Sequence, residues 1–313
     1  MPKKSKKDEG KGIAKPHIIG QGSFGCIYHP GMTCNHEPLD AKYITKIHAT
    51  NEQTAKNEIA VSKKIQKIPD YISYFSPVLE SCKVNLAKVN KEEIEKCTFI
   101  KEDIKTKRPL TYITTKIRYI SGKTLLNYIE DKTNITILYF LYDKLCKSVD
   151  KLIEQNIVHF DLRENNMIVT KQGQPIIIDF GISIDFSTIK KKHMRRIFYA
   201  YTTKYKPWCI EIVLISYMVH QNITEVSVNK AIEIFDEVMQ TNNFGNIPYL
   251  KEALSKYREY FKTQKITIEN MLSTYKRWDY YSVAIMLIQM LEKTGQTPNQ
   301  TYIDKIKENL GFK

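Results

Sequence analysis

The stretch that most constrains this chain is His159-Phe160-Asp161-Leu162-Arg163-Glu164-Asn165-Asn166, followed by Ile176-Ile177-Ile178-Asp179-Phe180-Gly181. Asp161 and Asn166 stand five positions apart in a polar loop, and Asp179 comes thirteen residues after Asn166, behind an apolar run. Between them Met167-Ile168-Val169, a turn at Gln172-Gly173 and residues 175–178 read as a small hairpin. Such a hairpin sets Asn166 and Asp179 at its two outer ends, facing the same space. Upstream, residues 133–155 place Ile135, Leu138, Tyr142, Leu145, Val149 and Leu152 at three- and four-residue steps, the period of a long buried helix that supports the loop.

A second constraint is glycine. From His17 the chain alternates apolar and small residues through Ile18, Ile19, Gly20-Gln21-Gly22-Ser23-Phe24-Gly25, Cys26 and Ile27, as a strand, a turn and a returning strand would. Lacking a Cβ, glycine lets the backbone fold tightly and bring its N–H groups against phosphate oxygens, although an ordinary hairpin uses it too. Tyr43-Ile44-Thr45-Lys46-Ile47 is a short β-branched run carrying one lysine. Residues 51–67 read as an amphipathic helix with Ile59 and Ile65 on one side and Glu58 in its middle. Residues 77–79 and 110–120 read as two further strands, and the charged residues 90–107 between them as a surface insertion.

Together these motifs resemble the protein kinases. H-x-D-x-x-x-x-N with D-F-G matches their catalytic and metal-binding loops, the glycine turn looks like their nucleotide loop, and the strand ending at Lys46-Ile47 resembles their V-A-I-K strand. The resemblance implies an α+β, bilobal fold: a small β-rich N-lobe over residues 16–120 and a mostly helical C-lobe over 121–313, after a disordered basic arm at 1–15. It implies ATP and Mg²⁺. Gly20, Gly22, Ser23 and Gly25 would meet the phosphates, and Lys46 would hold them with Glu58 as its helix carboxylate, Glu52 being the competitor. Tyr119-Ile120-Ser121-Gly122 resembles the hinge, with Ile27, Ile117, Tyr119 and Ile168 around the base. Asn166 and Asp179 would ligate the metal, Asp161 would receive or orient the acceptor hydroxyl, and Arg163 would meet the γ-phosphate. His159 and Phe180 read as supports, not reactants.

The pattern also departs from the family. Phe160 replaces the Arg that usually precedes the catalytic Asp, so activity independent of activation-segment phosphorylation is expected. Glu211 in Trp208-Cys209-Ile210-Glu211 stands where kinases carry the Glu of A-P-E, yet no Arg follows Arg277 to pair with it. Trp278-Asp279 looks like the start of the central helix of the large lobe, whose Asp holds the H-x-D backbone, and residues 212–277 form an atypical insertion before it. The H-F-D-L-R-E-N-N loop and the W-C-I-E ending are similar to kinases encoded by large cytoplasmic DNA viruses, which implies host cytoplasm or virion.

Composition narrows the partners. Lys+Arg of 48 against Asp+Glu of 34 gives +14, spread over the whole chain as a basic solvated surface rather than a nucleic-acid stripe. The basic run at 190–196 reads equally as a hold for an acidic substrate or as a solvated loop. Six cysteines without dense spacing or a secretory leader read as unpaired thiols in a reducing compartment, and Cys34, His36, Cys82 and Cys97 lack metal-ligand spacing. The longest apolar runs fall short of the roughly 20 residues needed to cross a bilayer. The reading is therefore a cytoplasmic serine/threonine protein kinase acting on a protein substrate without membrane. A small-molecule phosphotransferase of the same fold and a nucleotide-binding pseudokinase are the rivals.

Overall fold

The period-two pattern from His17 builds an antiparallel sheet. The computed structural model describes residues 16–22, 25–32, 40–48, 52–86, 91–108, 111–130 and 133–311; the basic arm at 1–15 and Ser23 lie outside them. The chain divides into two compact units, residues 1–59 with 77–119 and residues 60–76 with 120–313. In the first, β1 (His17–Gly22), β2 (Gly25–His29), β3 (Tyr43–His48), β4 (Val78–Asn85) and β5 (Thr111–Arg118) form a sheet of order β1-β2-β3-β5-β4. Helix α1 (Glu52–Ile65) follows β3 and carries a buried stripe at Ala55, Glu58, Val61, Ser62 and Ile65.

Residues 90–107 correct the expectation of a surface insertion. They form α2 (Lys91–Ile94) and α3 (Thr98–Lys105), and Ile94, Cys97 and Ile100 are buried with Tyr28, Ile47, Leu86 and Tyr112 in the core of the first unit. The stripe recurs at three-residue steps among lysines and glutamates, so charge hides it. The expectation of unpaired thiols is also overturned: Cys26 and Cys97 form a disulfide across a separation of 71 residues, and Cys82 is disulfide-bonded as well. Pairing of this kind depends on strand-to-helix packing, which linear spacing does not reveal. With it goes the premise of the reducing-compartment reading. Cys146 and Cys209 are free.

The second unit is mostly helical. After β6 (Gly122–Thr124) and α4 (Leu125–Tyr128), Asn134 caps α5 (Ile135–Glu154) by accepting from the Thr136 N–H at 2.8 Å. Leu138, Leu141, Tyr142, Leu145, Val149 and Leu152 are buried along one face of α5, each such side chain contributing about 1.5–3 kcal/mol of burial. Then come β7 (Ile157–Val158), the hairpin β8 (Met167–Thr170) and β9 (Pro175–Ile177), and β10 (Ile184–Asp185) paired to β7. Helices α6 (Met194–Ile197), α7 (Ile210–Gln221), α8 (Val228–Thr241), α9 (Lys251–Thr263), α10 (Ile268–Ser273), α11 (Trp278–Thr294) and α12 (Gln300–Asn309) complete it.

Helix α11 is apolar nearly all round and buried along most of its length, as a central helix must be. It stops at Gly295, whose φ of 64° is the left-handed conformation that glycine adopts without strain. Residues 212–277 join the same core through Ile234, Phe235, Val238, Phe244, Leu250 and Phe261. Among the described residues no helix is long and apolar enough to cross a membrane.

Candidate active site

In the first unit, register does the positioning. Ile27 lies opposite both Gly20 and Lys46, Lys46 opposite Thr115, and Ile44 opposite Ile117. Residues directly opposite share a face and alternate residues return to it, so Ile27, Ile44, Lys46 and Ile117 are on one face of the sheet. Lys46 Nζ meets Glu58 Oε2 at 3.1 Å with both side chains buried, and His48 Nε2 lies 3.8 Å from the same oxygen. A buried lysine needs such a partner, and the pairing distinguishes Glu58 on α1. Tyr119 follows β5, its N–H donating to the Lys42 carbonyl at 2.8 Å and its ring 4.1 Å from that of His29.

The three glycines differ. Gly25 is required by the fold: a Cβ there would lie 2.1 Å from the Ile47 carbonyl oxygen. Gly20 makes only ordinary contact and Gly22 faces open space, with no positive φ at either. Among the described residues no contact demands glycine at 22.

In the second unit the polar loop is built on α11. Asp279 Oδ2 accepts from the His159 N–H at 2.6 Å and Oδ1 from the Phe160 N–H at 3.2 Å. Burial pushes the Asp279 carboxyl above its ordinary pKa, against the opposing pull of His159 and these two hydrogen bonds. The bonds hold Phe160 at φ 70°, a left-handed conformation that costs a non-glycine residue about 1–3 kcal/mol. Phe160 is buried with ring contacts to Phe198, Trp208 and Trp278, and its carbonyl accepts from Trp208 Nε1 at 2.9 Å. Aromatic packing thus occupies the place of the expected Arg.

Asp161 is held on both oxygens. Asn166 Nδ2 donates to Asp161 Oδ2 and to its backbone oxygen, each at 2.8 Å, while the Tyr205 hydroxyl donates to Oδ1. A carboxylate and a carbonyl can only accept, so the amide turns its nitrogen to them and its Oδ1 is the group left for a cation. Arg163 Nε lies 3.6 Å from Asp161 Oδ1 and, though buried, has no hydrogen-bond partner. The Ile178 N–H donates to the Asn166 carbonyl at 3.0 Å, which brings neighbouring Asp179, itself at φ 64°, beside this loop. His159 Nε2 bonds the Ile178 carbonyl at 3.0 Å, and Phe180 packs on His159 and Phe75. Ile168 lies on β8, opposite Thr124 and Ile176.

Two contacts escaped the sequence reading. Tyr205 touches Asp161, and burial followed by the charge of that carboxylate pushes its phenol far up, keeping it a proton donor. Only its place before Trp208 hinted at a role. Glu211 also has a partner: Arg277 Nη2 at 3.2 Å, with the Tyr257 hydroxyl donating at 3.0 Å. The expected absence of a pairing Arg is therefore corrected. The residue immediately before α11 performs that task, because residues 212–277 precede rather than follow the helix.

Comparison with known proteins agrees with this geometry. The model of the protein kinase domain matches residues 13–272. A probable serine/threonine-protein kinase, mkcC of Dictyostelium discoideum, is 24% identical over 177 residues, 56% of this chain and 16% of that protein. The serine/threonine-protein kinase dst4 of the same organism is 24% identical over 170 residues, 53% of this chain and 29% of its own. Serine/threonine-protein kinase PknD of Chlamydia trachomatis serovar D is 29% identical over 62 residues, 20% of this chain and 7% of its own. The chain thus spans less than a third of the length of these relatives. With the family model covering most of its residues and the kinase loops in place, the chain belongs to the protein kinase family.

Proposed function

We propose that this protein transfers the γ-phosphoryl group of Mg·ATP to serine and threonine hydroxyls of protein substrates. The observation that carries the reading is the Asn166 amide, fixed with its nitrogen on Asp161 and its oxygen left for a cation beside Asp179. Asn166 Oδ1 and the Asp179 carboxylate are hard oxygen donors, and Mg²⁺, which keeps several waters, needs no more from a protein. Among the described residues no group of three or more His, Cys, Asp or Glu forms an alternative metal cluster. Held by Asn166 and Asp179, such an ion would supply positive charge to screen the transferring phosphate.

The chain's own residues do the rest. Lys46, oriented by Glu58, holds the α- and β-phosphates. Gly22, which no contact among the described residues requires, lets backbone N–H groups approach them. Ile27, Ile117 and Tyr119 provide the apolar surface for the base. Arg163, its side chain partly exposed beside Asp161, meets the γ-phosphate with a charged donor. Asp161 orients the acceptor hydroxyl and takes its proton late in the transfer. Its orientation is fixed by Asn166 and Tyr205 before any acceptor arrives, which lowers the entropic cost of alignment.

The test is phosphate incorporation from Mg·ATP into a mixed protein acceptor and into the protein itself, located by mass spectrometry, with Asp161→Asn as control. Phosphoserine and phosphothreonine that vanish in the control are expected. Phosphate found only on small molecules, or only on tyrosine, would overturn the acceptor class, and nucleotide binding without transfer would make the protein a pseudokinase.

A further inference from the structure

Between Asp185 and Glu211 the sequence carries no acidic residue but holds lysines at 190–192, Arg195, Arg196, Lys204 and Lys206. The described structure gives none of these seven an ion pair. Their one polar side-chain contact is neutral, Arg195 Nη2 to Asn222 Oδ1 at 3.0 Å. Elsewhere in the second unit some cations are paired, Lys230, Lys256, Arg258 and Lys262 each with a carboxylate within 2.8 Å, and others stand singly; what sets 190–206 apart is that seven cations fall together with no acidic residue among them.

The segment is held without using its charge. Met194 and Phe198 are buried, with the Phe198 N–H donating to the Met194 carbonyl at 2.8 Å. His220 Nε2 bonds the Tyr199 carbonyl at 2.8 Å, and Ser282 Oγ donates to the Pro207 carbonyl at 2.8 Å. Apolar and backbone anchors thus fix the backbone that carries the cations, so less chain has to be ordered when a partner binds. His193 among them lies below its ordinary pKa through desolvation and then through the positive charge of Arg196, Lys192 and Lys190. The segment also reaches the chemistry directly: Lys204 and Lys206 flank Tyr205, whose hydroxyl is on Asp161.

We infer that residues 190–206 form a recognition surface for acidic peptide, selecting serine and threonine acceptors flanked by Asp, Glu or phosphorylated residues. The inference rests on the kinase reading above and names its substrate class. The cations beside Tyr205 take acidic residues adjacent to the acceptor, and those at 190–196 take acidic residues further along the peptide.

The experiment compares kcat/KM for three serine peptides identical except that the flanking positions carry Asp and Glu, Asn and Gln, or Lys, using wild type and Lys191→Gln/Arg196→Gln. Lys204→Gln/Lys206→Gln serves as a second variant at the near positions. Wild type is expected to favour the acidic over the neutral peptide by about tenfold, from several screened contacts of modest size. The preference should shrink as NaCl rises, because exposed charge pairs are screened. In each variant the acidic-to-neutral ratio should fall towards one. A wild-type ratio near one with measurable transfer would overturn the inference and leave the kinase reading standing, whereas no transfer to any peptide or protein would overturn both. Tight binding of a single-stranded RNA oligonucleotide that excludes the acidic peptide and is lost in the variants would assign the segment to nucleic acid and overturn it as well.

Discussion

Replacing Cys97 by Ser removes the bond that ties β2, the strand just after the glycine turn, to the start of α3. The bond closes a separation of 71 residues, and for a loop of that length chain entropy gives a ceiling of about 4 kcal/mol. Residual order in the unfolded chain reduces this, so a loss of roughly 2–4 kcal/mol and a fall in Tm of about 3–6 °C are expected. The local partners remain: Gln21 Oε1 still accepts from the Thr98 N–H, at 3.0 Å in the intact protein, and Ile94 and Ile100 stay buried. The fold should therefore survive, with faster hydrogen exchange confined to residues 17–29 and 91–105.

Cys26→Ser and the double variant should match Cys97→Ser, because all three remove the same bond. Alkylation and mass spectrometry of the native protein provide the direct check. Neither Cys26 nor Cys97 should react before reduction, and Cys146, pushed up to about 12 mainly by burial, should stay almost unlabelled at pH 8 because so little of it is thiolate. Free Cys26 and Cys97 in protein prepared without reductant, or a Cys97→Ser variant as stable as wild type, would refute the reasoning.

Other perturbations test other joints. Asp279→Ala strands the buried N–H groups of His159 and Phe160 and should cost about 3–5 kcal/mol, read by denaturant unfolding, with kcat lost before stability in milder variants. Arg277→Ala removes the ion pair of Glu211 and leaves it the Tyr257 hydroxyl and the Cys209 thiol; because the Arg277 side chain is 48% exposed, screening limits the loss to about 1–2 kcal/mol, and Arg277→Lys should recover part of it. Replacing Thr188, Thr202 and Thr203 together by Ala should change turnover by less than about tenfold, since Phe160 packs in an aromatic cluster and offers no guanidinium for a phosphate to neutralise.

Much of this site was legible because its residues act through local order. Asp161, Asn166 and Asp179 are fixed by one loop and one short hairpin, and both announce themselves in the residues between them. Lys46 and Glu58 were legible by residue type, but the choice between Glu58 and Glu52 needed the turn of α1 that brings Oε2 to 3.1 Å from Nζ. Longer-range contacts left no trace. The Cys26–Cys97 bond joins a strand to a helix hidden among charges, and the Arg277–Glu211 pair spans residues whose own fold the sequence did not declare. Tyr205 reaches Asp161 from an irregular segment with no period to read.

The central claim is tested most directly by separating nucleotide binding from transfer in Asp161→Asn. Mg·ATP affinity should stay within about threefold of wild type, because Lys46, Asn166 and Asp179 remain, while single-turnover transfer to a serine-containing protein falls by at least about a hundredfold. An Asp161→Asn protein that transfers phosphate at the wild-type rate would contradict the role given to Asp161 and, with it, the site described here.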